Sequence, residues 1–543
     1  MKALRDIDIA AEDLTFGRIL ARAAARNGDK PYLLFEDRSY SYADLDSRTN
    51  RIANALLAFG IRTGDHVAIL MGNCPETLFL TYALGKIGAV VVPVNTATKG
   101  DLLLYFLEQS DSTAIMVGSE SLARYLEVAA RAPRVTRAVI IDEPGVPPVE
   151  PPKLPGVSIL AYAALEDGAD RPPGVAVDIH EPHGIFYTSG TTGPSKGVVR
   201  SNAGSWAFSI GRAQYIGYQK DDVIYTCLPL FHGNAMGAAS MPALAADATL
   251  ALSRRFSARA YWDEIRRYGV TQFNLLSSMT NILWGQPAGP GDRDHKVHRV
   301  NMVPVAEFAP QFAERFGVEI VSSYSLTDFG QGTFLQPGYP ASKYRSAGKP
   351  RPDVELVIMD DDDRIAGPGV AGEICMRSDN PLLGGRGYYK MPDANADANR
   401  GGWFHTGDRG MLDEDGYLFF VDRKKDAIRR RGENISSWEV EQVIGRHPAV
   451  MEVAVYPVRS EMSEDEVMAS VVCRPGQILD PVDLVRFCEA NMSYFMVPRF
   501  LEFLPALPKT MTEKVQKNVL KQSAEERLGH VWDREKAGVT VKR

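Results

Sequence analysis

The sequence lacks long hydrophobic runs, paired cysteines and an excess of basic residues. Its five cysteines are scattered and none forms a C-x-x-C pair, which excludes a disulfide scaffold and favours reduced thiols. The longest apolar runs, such as residues 88–94, are too short to cross a bilayer. Residues 1–16 carry acidic side chains where a signal peptide would need an apolar segment. We therefore expect a cytoplasmic protein without a membrane span.

Charge and length set two further limits. The chain has 61 Lys and Arg residues and 68 Asp and Glu residues, which gives a formal net charge of −7. Because nucleic-acid-binding proteins are usually basic, this charge argues against a nucleic-acid partner. The 543 residues exceed what one hydrophobic core accommodates, so we expect several domains or subdomains.

Apolar strands and helices alternate over the first 180 residues. The pattern predicts strands at 66–71, 89–94, 113–117 and 138–141 and helices at 75–88 and 119–132. Because the strands are continuously apolar, we expect parallel βαβ layers that are buried on both faces.

The second half of the chain has a different character. Two short strands, at 354–359 and 372–377, flank four consecutive aspartates, which we interpret as the solvated tip of a hairpin rather than as a metal site. A compact α+β segment is predicted after residue 423. Its expected strands are at 450–457, 467–473 and 500–504, with a helix at 481–490.

Residues 187–197 read YTSGTTGPSKG, a loop rich in hydrogen-bond donors. Its backbone N–H groups, hydroxyls and Lys196 suit a polyphosphate, and its glycines let the backbone wrap around phosphate oxygens. The Walker spacing G-x-x-x-x-G-K-[ST] fails, since Ser195 stands five residues after Gly190, which argues against a P-loop NTPase. A flexible surface loop is the alternative.

With this loop the chain resembles the adenylate-forming superfamily, which contains acyl-CoA synthetases, firefly luciferase and the adenylation domains of peptide synthetases. Further family motifs follow in the expected order. They are 229–232 (PLFH), 323–328 (SYSLTD), 372–374 (GEI), 403–408 (WFHTGD), 422–426 (DRKKD), 432–435 (GENI) and 508–514 (PKTMTEK).

The resemblance implies an α/β fold of two parts. The first, residues 1–424, is a large adenylation and acyl-binding domain with two βα-layered subdomains and a small distorted β-barrel. The second, residues 425–543, is a small mobile α+β lid. Lys425 falls where the family has its hinge.

The resemblance also implies the reaction and its nucleotide site. ATP, carrying Mg²⁺, adenylates a carboxylic acid; Lys514 neutralises the meeting anions, Asp408 holds the ribose, Tyr324 stacks on adenine, and Thr188 and Asp328 contact Mg²⁺. Lys514, His232 and Thr188 are the implied catalytic residues. The full implied ATP set is Thr188, Ser189, Gly190, Thr191, Thr192, Lys196, Ser323, Tyr324, Thr327, Asp328, Asp408, Phe420, Arg423 and Lys514.

The motifs look most like those of crotonobetaine/carnitine-CoA ligase-type enzymes, so coenzyme A is the expected acyl acceptor; a homodimer is also compatible with the resemblance. CoA would contact Arg430, Arg431, Gly432 and Glu433. The acyl pocket would be lined by Trp206, His232, Asn234, Gly237, Ser278, Phe329 and Gly330.

Two departures from the family pattern bear on adenylation. Asp328 stands where the family has glutamate, and Glu513 stands where it has glycine. An enzyme that adenylates poorly and mainly thioesterifies a supplied acyl adenylate is therefore an alternative. A non-catalytic nucleotide-binding relative is a second alternative, although it would be expected to lack Lys514 or Asp408.

Overall fold

Two units make up the chain in the computed structural model, which describes residues 9–188, 194–360, 362–380, 382, 385–423, 427–459, 464–508, 515 and 517–542. The first unit comprises Met1–Thr96, Tyr105–Phe186 and Gly197–Asp422. The second comprises Ala97–Leu104, Tyr187–Lys196 and Arg423–Arg543. In the part of the chain that is described, no helix is both long and apolar enough to cross a membrane.

A seven-stranded sheet forms from the alternating first part of the sequence. Its first six strands pair in parallel, and strands such as Ala114–Gly118 are buried along their whole length because both faces are covered. The strands predicted from apolar runs are confirmed. In spatial order they are Ser158–Ala161, Arg137–Ile141, Ala114–Gly118, His66–Leu70, Val90–Pro93, Pro182–Thr188 and Lys196–Ser201.

A nine-stranded mixed sheet forms the other large layer of the first unit. Its central strands are parallel, and antiparallel strands close both edges. In spatial order they are Lys349–Pro350, Gly330–Leu335, Glu319–Leu326, Arg299–Val303, Gln272–Leu276, Val223–Thr226, Thr249–Leu252, Pro31–Phe35 and Arg38–Ser41.

Helices connect and cover these strands, and local sequence fixes several of their ends. Ser41 and Asp44 form a capping box at the start of Tyr42–Phe59, and Pro75 occupies the first turn of Pro75–Lys86. The other α-helices before residue 423 are Phe16–Asn27, Gly100–Gln109, Leu122–Ala129, Asn202–Ile216, Gly233–Ala235, Met241–Ala245, Tyr261–Tyr268, Ser277–Trp284, Ala309–Phe316 and Pro392–Ala398. A π-helical turn, Met236–Ser240, joins two of them.

A four-stranded sheet follows the two large sheets along the chain, and its first three strands are antiparallel. Its strands are Glu355–Met359, Gly372–Arg377, Phe404–Leu412 and Leu418–Arg423, in that spatial order. The first two form the predicted hairpin. Together with the two large sheets, this sheet confirms the α/β fold class.

The second unit is an α+β layer, as predicted. Val450–Arg459 and Asp465–Cys473 are antiparallel, Phe500–Phe503 joins in parallel, and Trp532–Asp533 closes the edge. Alternate residues of the sheet pack on opposite sides: Val455 faces the cluster containing helices Ser437–Ile444 and Pro481–Asn491, and Tyr456 faces helix Lys517–Arg527.

A segment distant in sequence completes this second unit. Ala97 and Leu102 pack against its main core cluster, and the hydroxyl of Ser493 donates to the carbonyl of Ala97 (2.7 Å). Arg446 forms an ion pair with Asp101. The C-terminal segment therefore shares its core and polar contacts with residues more than three hundred positions earlier.

A short hairpin precedes the sheet of the second unit. Strands Ala427–Arg430 and Glu433–Ser436 are joined by Arg431 and Gly432, with φ values of 54° and 80°. Two consecutive residues with positive φ are typical of a tight two-residue turn that matches the twist of the strands. The turn presents the half-exposed Arg431 side chain at its tip.

Gly348 occupies a position that only glycine fits. Its φ is +88°, and a Cβ added there would lie 1.9 Å from the backbone of Phe334. We expect Gly348→Ala to destabilise the fold by about 4 kcal/mol, because the clash is with backbone and adds to the strain of a positive φ. Gly369→Ala is the matched control: its φ is +79° but nothing lies within 4 Å of the added Cβ. Chemical denaturation that gives equal losses of stability for the two variants would contradict this assignment.

Candidate active site

A tyrosine and an aspartate from two different motifs meet in the first unit. Tyr324 lies on strand Glu319–Leu326 and is 7% exposed, and its hydroxyl donates to Oδ2 of Asp408 (2.7 Å). Asp408 lies on strand Phe404–Leu412 and is 6% exposed. The ring of Tyr324 packs in a hydrophobic cluster with Phe329 and Ile374. The structure thus brings together the residues predicted to hold adenine and ribose.

A buried carboxylate supports the turn that carries Asp408. Oε1 of Glu373 accepts from the N–H of Gly407 (3.0 Å), and Oε2 lies 3.2 Å from Nδ1 of His405 and 3.3 Å from Nη2 of Arg400. The hydroxyl of Thr406 accepts from the N–H of Asp408 (3.1 Å). These contacts hold the backbone that leads into Asp408, and the hydrogen bond from Tyr324 orients its carboxylate.

The same region contains a group of three metal-ligand types that the sequence did not reveal. Single ligand atoms of Glu373, Cys375 and His405 lie within 4.8 Å of one another, from positions thirty residues apart in the chain. The guanidinium of Arg400 pairs with Glu373, and its positive charge opposes a cation there. We therefore interpret the group as a hydrogen-bonded support for the 404–412 strand.

Asp328, the predicted magnesium contact, sits among other partners. The hydroxyl of Tyr388 hydrogen-bonds to its carboxylate, and burial together with that negative charge raises the pKa of Tyr388. Arg200 is buried, and its Nη2 donates to the carbonyl of Thr327 (2.7 Å). Burial lowers the pKa of Arg200 to about 10, an effect that the charge of Asp328 partly offsets. Asp328 is therefore shared between a hydroxyl and a buried cation.

Gly330 makes room for this arrangement. Its φ is +109°, and an added Cβ would lie 3.3 Å from Nη2 of Arg200. This glycine, predicted as part of an acyl pocket, thus admits the Arg200 guanidinium beside the 323–328 motif.

The phosphate loop is described only at its two ends. Thr188 ends strand Pro182–Thr188 and Lys196 begins strand Lys196–Ser201; both are half-buried and both belong to the second unit. Ser189, Gly190, Thr191 and Thr192 lie outside the described residues, as do Lys425 and Lys514. The backbone of Arg423 ends strand Leu418–Arg423, but its side chain is not described.

A glutamate of the second unit anchors the loop just before Lys196. Glu439 is 8% exposed and accepts from the N–H of Ser195 (3.1 Å) and from its hydroxyl. Burial raises the pKa of Glu439 to about 7, although both hydrogen bonds from Ser195 oppose that rise. None of the sequence motifs includes Glu439. Its partner lies 244 residues earlier in the chain, so local sequence does not reveal the contact.

We expect this carboxyl to make the second unit less stable as the pH rises. Because the pKa is about 7 in the folded chain and 4.5 ordinarily, the folded state binds more protons between these values, so stability falls with increasing pH across that window. Glu439→Gln should remove this slope, measured by chemical denaturation between about pH 5 and about pH 8. The exposed Glu526→Gln is the control, and an unchanged slope in Glu439→Gln would contradict the assignment.

The predicted CoA contacts occupy different environments. Arg430 is 1% exposed; its Nη1 donates to the carbonyls of Phe495 (3.0 Å) and Val497 (3.1 Å), and its Nε pairs with Glu466 (2.7 Å). Its guanidinium thus ties the hairpin to the core of the second unit, which favours a structural role over a CoA contact. Arg431, Gly432 and Glu433 lie at the accessible turn.

The residues predicted to line the acyl pocket also lie in different environments. Trp206 is fully buried, with its ring 5.0 Å from that of Phe16, so it packs in the core. His232 precedes helix Gly233–Ala235 and lies 4.7 Å from the ring of Phe231. Oδ1 of Asn234 accepts from Nδ2 of Asn274 (3.2 Å).

The remaining predicted site residues comprise three from the acyl pocket and one nucleotide contact. An added Cβ on Gly237 would lie 3.0 Å from Phe208, and the ring of Phe329 lies 5.6 Å from that of Phe404. The side chain of Ser278 is not described. Phe420, predicted to contact nucleotide, is 43% exposed on strand Leu418–Arg423.

A cavity in the first unit lies beside the 229–232 motif. Leu230, Phe231 and Met236 line one side, and strand residues such as Ile69 and Val91 line another. His183 also lines it; burial lowers the pKa of this histidine to about 3, so its imidazole is neutral. The cavity is predominantly apolar, and residues 230–236 place it next to the predicted acyl segment.

Comparison with known proteins identifies the family of this chain. A model of AMP-binding enzymes matches residues 20–389, and a model of the AMP-binding enzyme C-terminal domain matches residues 439–514. The crotonobetaine/carnitine–CoA ligase of Salmonella choleraesuis (strain SC-B67) is 34% identical over 503 residues, which cover 91% of this chain and 96% of the relative.

Solved structures with the same fold include two enzymes at 25% identity. An o-succinylbenzoate CoA synthetase from Bacillus subtilis, a double mutant bound with a product analogue, has a TM-score of 0.80 and covers 92% of this chain and 97% of its own. The amide bond synthetase McbA from Marinactinospora thermotolerans has a TM-score of 0.78, with coverages of 94% and 99%. The predicted resemblance is confirmed, and the chain belongs to the family of AMP-binding enzymes.

Proposed function

We propose that this enzyme activates a carboxylic acid with MgATP and transfers the acyl group to coenzyme A. In the first step a carboxylate oxygen attacks the α-phosphorus of ATP, and pyrophosphate leaves with the electrons of the broken P–O bond. In the second step the sulfur of CoA attacks the acyl carbon, its proton is lost, and AMP leaves.

The observation that carries this proposal is the contact between Tyr324 and Asp408. The hydroxyl of Tyr324 orients the Asp408 carboxylate, and a carboxylate accepts strong hydrogen bonds from paired hydroxyls such as those of ribose. Glu373 holds the adjoining backbone through Gly407, which fixes that orientation before the nucleotide binds.

Positive charge at the reacting phosphate is assigned to two lysines. Lys514 would lie between the carboxylate and the α-phosphate, and Lys196 would contact the polyphosphate with Thr188 and residues 189–192. Thr188 and Asp328 would contact the magnesium that ATP carries, and His232 would border the reacting acyl group. Ser323, Thr327, Phe420 and Arg423 complete the proposed nucleotide contacts.

We assign CoA recognition and the change between half-reactions to the second part of the chain. Residues 425–543 would rotate about Lys425 after adenylation, so that one site serves both steps. Arg431 supports the CoA assignment because its side chain is accessible at a rigid turn, beside Gly432 and Glu433. The relatives named CoA ligases and CoA synthetases support CoA as the acceptor.

One observation favours the second candidate, thioesterification of a supplied acyl adenylate with weak adenylation. The carboxylate of Asp328 accepts a hydrogen bond from Tyr388 and interacts with the charge of Arg200. Both interactions reduce the affinity of this carboxylate for a metal ion. On this alternative the second step would run faster than the first.

Two assays on the full chain distinguish the candidates. ATP–pyrophosphate exchange with a panel of acids measures adenylation, and CoA transfer from synthetic acyl adenylates measures the second step. Activity in both supports the full ligase; CoA transfer without exchange supports the alternative. An amine acceptor is run in parallel, because one structural relative is named an amide bond synthetase.

A further inference from the structure

A buried arginine in the first unit has only neutral partners. Arg212 lies in helix Asn202–Ile216 and is 2% exposed; its Nη1 donates to Oγ of Ser323 (3.2 Å), and its Nε donates to the carbonyl of Ala238 (3.4 Å). Oε1 of Gln331 lies 3.5 Å from Nη1. Among the described residues, no carboxylate forms an ion pair with this guanidinium, and burial lowers the pKa of Arg212. A buried cation without an anion is costly, so the site favours an anionic ligand.

Two asparagines on neighbouring parallel strands face the same region. Asn274 and Asn301 are register partners, so their side chains leave the same face of the sheet. Nδ2 of Asn274 donates to the carbonyl of Ala238 (3.3 Å), the group that Arg212 also contacts. Asn274 therefore lies next to the guanidinium, and Asn301 lies beside Asn274 on the same face of the sheet.

These asparagines retain unused hydrogen-bonding capacity. Asn301 is 3% exposed and Asn274 is 4% exposed. Both Nδ2 and Oδ1 of Asn301, and Oδ1 of Asn274, are buried and have no hydrogen-bond partner within the described parts of the chain. Because buried amide groups are nearly always paired, these atoms indicate a polar ligand at this position.

The cluster connects directly to the predicted acyl and nucleotide residues. Nδ2 of Asn274 also donates to Oδ1 of Asn234, a predicted acyl-pocket residue (3.2 Å). Ser323, which accepts from Arg212, begins the 323–328 motif. The cluster therefore adjoins both the acyl segment and the nucleotide motif within one unit.

We propose that Arg212, Asn274, Asn301 and Ser323 recognise a second carboxylate on the acid substrate. This inference rests on the proposed function and names its substrate class: dicarboxylic acids, with one carboxylate activated and the other bound by the cluster. The guanidinium supplies the opposite charge and charge-assisted donors, and the unpartnered Nδ2 of Asn301 supplies a further donor. A monocarboxylic acid of the same length leaves the cation without a counter-charge.

The test compares matched acids on the wild-type enzyme. Glutarate, adipate and phthalate are measured against valerate, hexanoate and benzoate by pyrophosphate exchange and by CoA-thioester formation. We expect kcat/KM for each diacid to exceed that of its monoacid by about tenfold to a hundredfold. Equal or better use of the monoacids overturns the inference and leaves the proposed function standing. Activation of none of the acids, with no adenylate or thioester formed, overturns both.

Variants then assign the preference to the cluster. Arg212→Met should abolish the diacid preference by raising KM for diacids more than KM for the matched monoacids. Asn301→Leu removes both unpartnered amide atoms at similar volume, so it should fold and should reduce the preference even where Arg212→Met fails to fold. Arg351→Met is the matched control, since Arg351 is buried but paired with Asp353 (2.9 Å). A diacid-to-monoacid ratio unchanged in Asn301→Leu, or in a folded Arg212→Met, contradicts the assignment.

Discussion

Replacement of Lys514 by alanine is expected to lower ATP–pyrophosphate exchange by at least about a thousandfold, while CoA transfer from a supplied acyl adenylate should continue near the wild-type rate. The reason is electrostatic. Both reactants of the first step are anions, and a single ammonium between them offsets their repulsion as negative charge develops on the phosphorus oxygens. The second step starts from an adenylate whose charge lies away from the attacked carbon, so it depends less on that cation.

Two comparisons make the Lys514 result specific. Lys536→Ala removes the same charge from an exposed position of the same segment and should leave both assays unchanged. Lys514→Arg keeps a cation but changes its shape, so it should recover only part of the exchange rate. Full exchange in Lys514→Ala would contradict the assignment. If the wild-type enzyme transfers the acyl group from an acyl adenylate to CoA but does not catalyse ATP–pyrophosphate exchange, the result would favour the second candidate function.

Replacement of Asp408 by asparagine is expected to lower kcat/KM for ATP by about a thousandfold. An ionised carboxylate can accept hydrogen bonds from two ribose hydroxyls, whereas an amide offers one acceptor and adds a donor. Selectivity between ATP and its deoxy analogues tests the assignment more directly than the loss of kcat/KM. The wild-type enzyme should discriminate against 2′-deoxy-ATP and 3′-deoxy-ATP, and the Asp408→Asn variant should treat all three nucleotides alike.

The neighbours of Asp408 provide graded controls. Tyr324→Phe removes the hydroxyl that donates to Asp408 (2.7 Å) and should cost about tenfold, since the carboxylate remains but is less firmly oriented. Asp415→Asn, at an exposed position between the strands Phe404–Leu412 and Leu418–Arg423, should change neither rate nor selectivity. Retention of ribose discrimination in Asp408→Asn would show that other groups hold the sugar.

The regular elements were predictable because their sequence patterns are local. Continuous apolar runs located strands such as His66–Leu70 and Ala114–Gly118 within one or two residues, and the helix Pro75–Lys86 was signalled by the proline at its start. These signals depend only on neighbours in the chain, so no knowledge of tertiary structure was needed.

The partners of individual side chains were not predictable in the same way. Motif order selected Tyr324 and Asp408, but their hydrogen bond spans 84 positions and depends on how two sheets meet. Trp206 was expected in an acyl pocket and instead packs against Phe16, a contact that no local pattern encodes. Asp328 was selected by its motif, whereas Tyr388 and Arg200 come from other parts of the chain.

Some of the residues and buried environments that were not predicted did leave a signal in the sequence. Arg430 lies two positions after the fully buried Ile428, so the period of a strand places both on the inner face. The strands QFNLL and RVNMV each carry an asparagine at the third position of an apolar run. A polar side chain repeated at the same place in two successive buried strands marks Asn274 and Asn301 as exceptions that need a partner.

The composite make-up of the second unit affects how the chain is synthesised and how it can be divided. Segments 97–104 and 187–196 leave the ribosome long before residues 423–543, so the unit closes only after most of the chain exists. A fragment cut at residue 423 would leave part of its core without the packing of Ala97 and Leu102. Expression of residues 423–543 alone therefore requires polar substitutions where Ala97 and Leu102 pack, or a linker that joins residues 97–104 to the fragment.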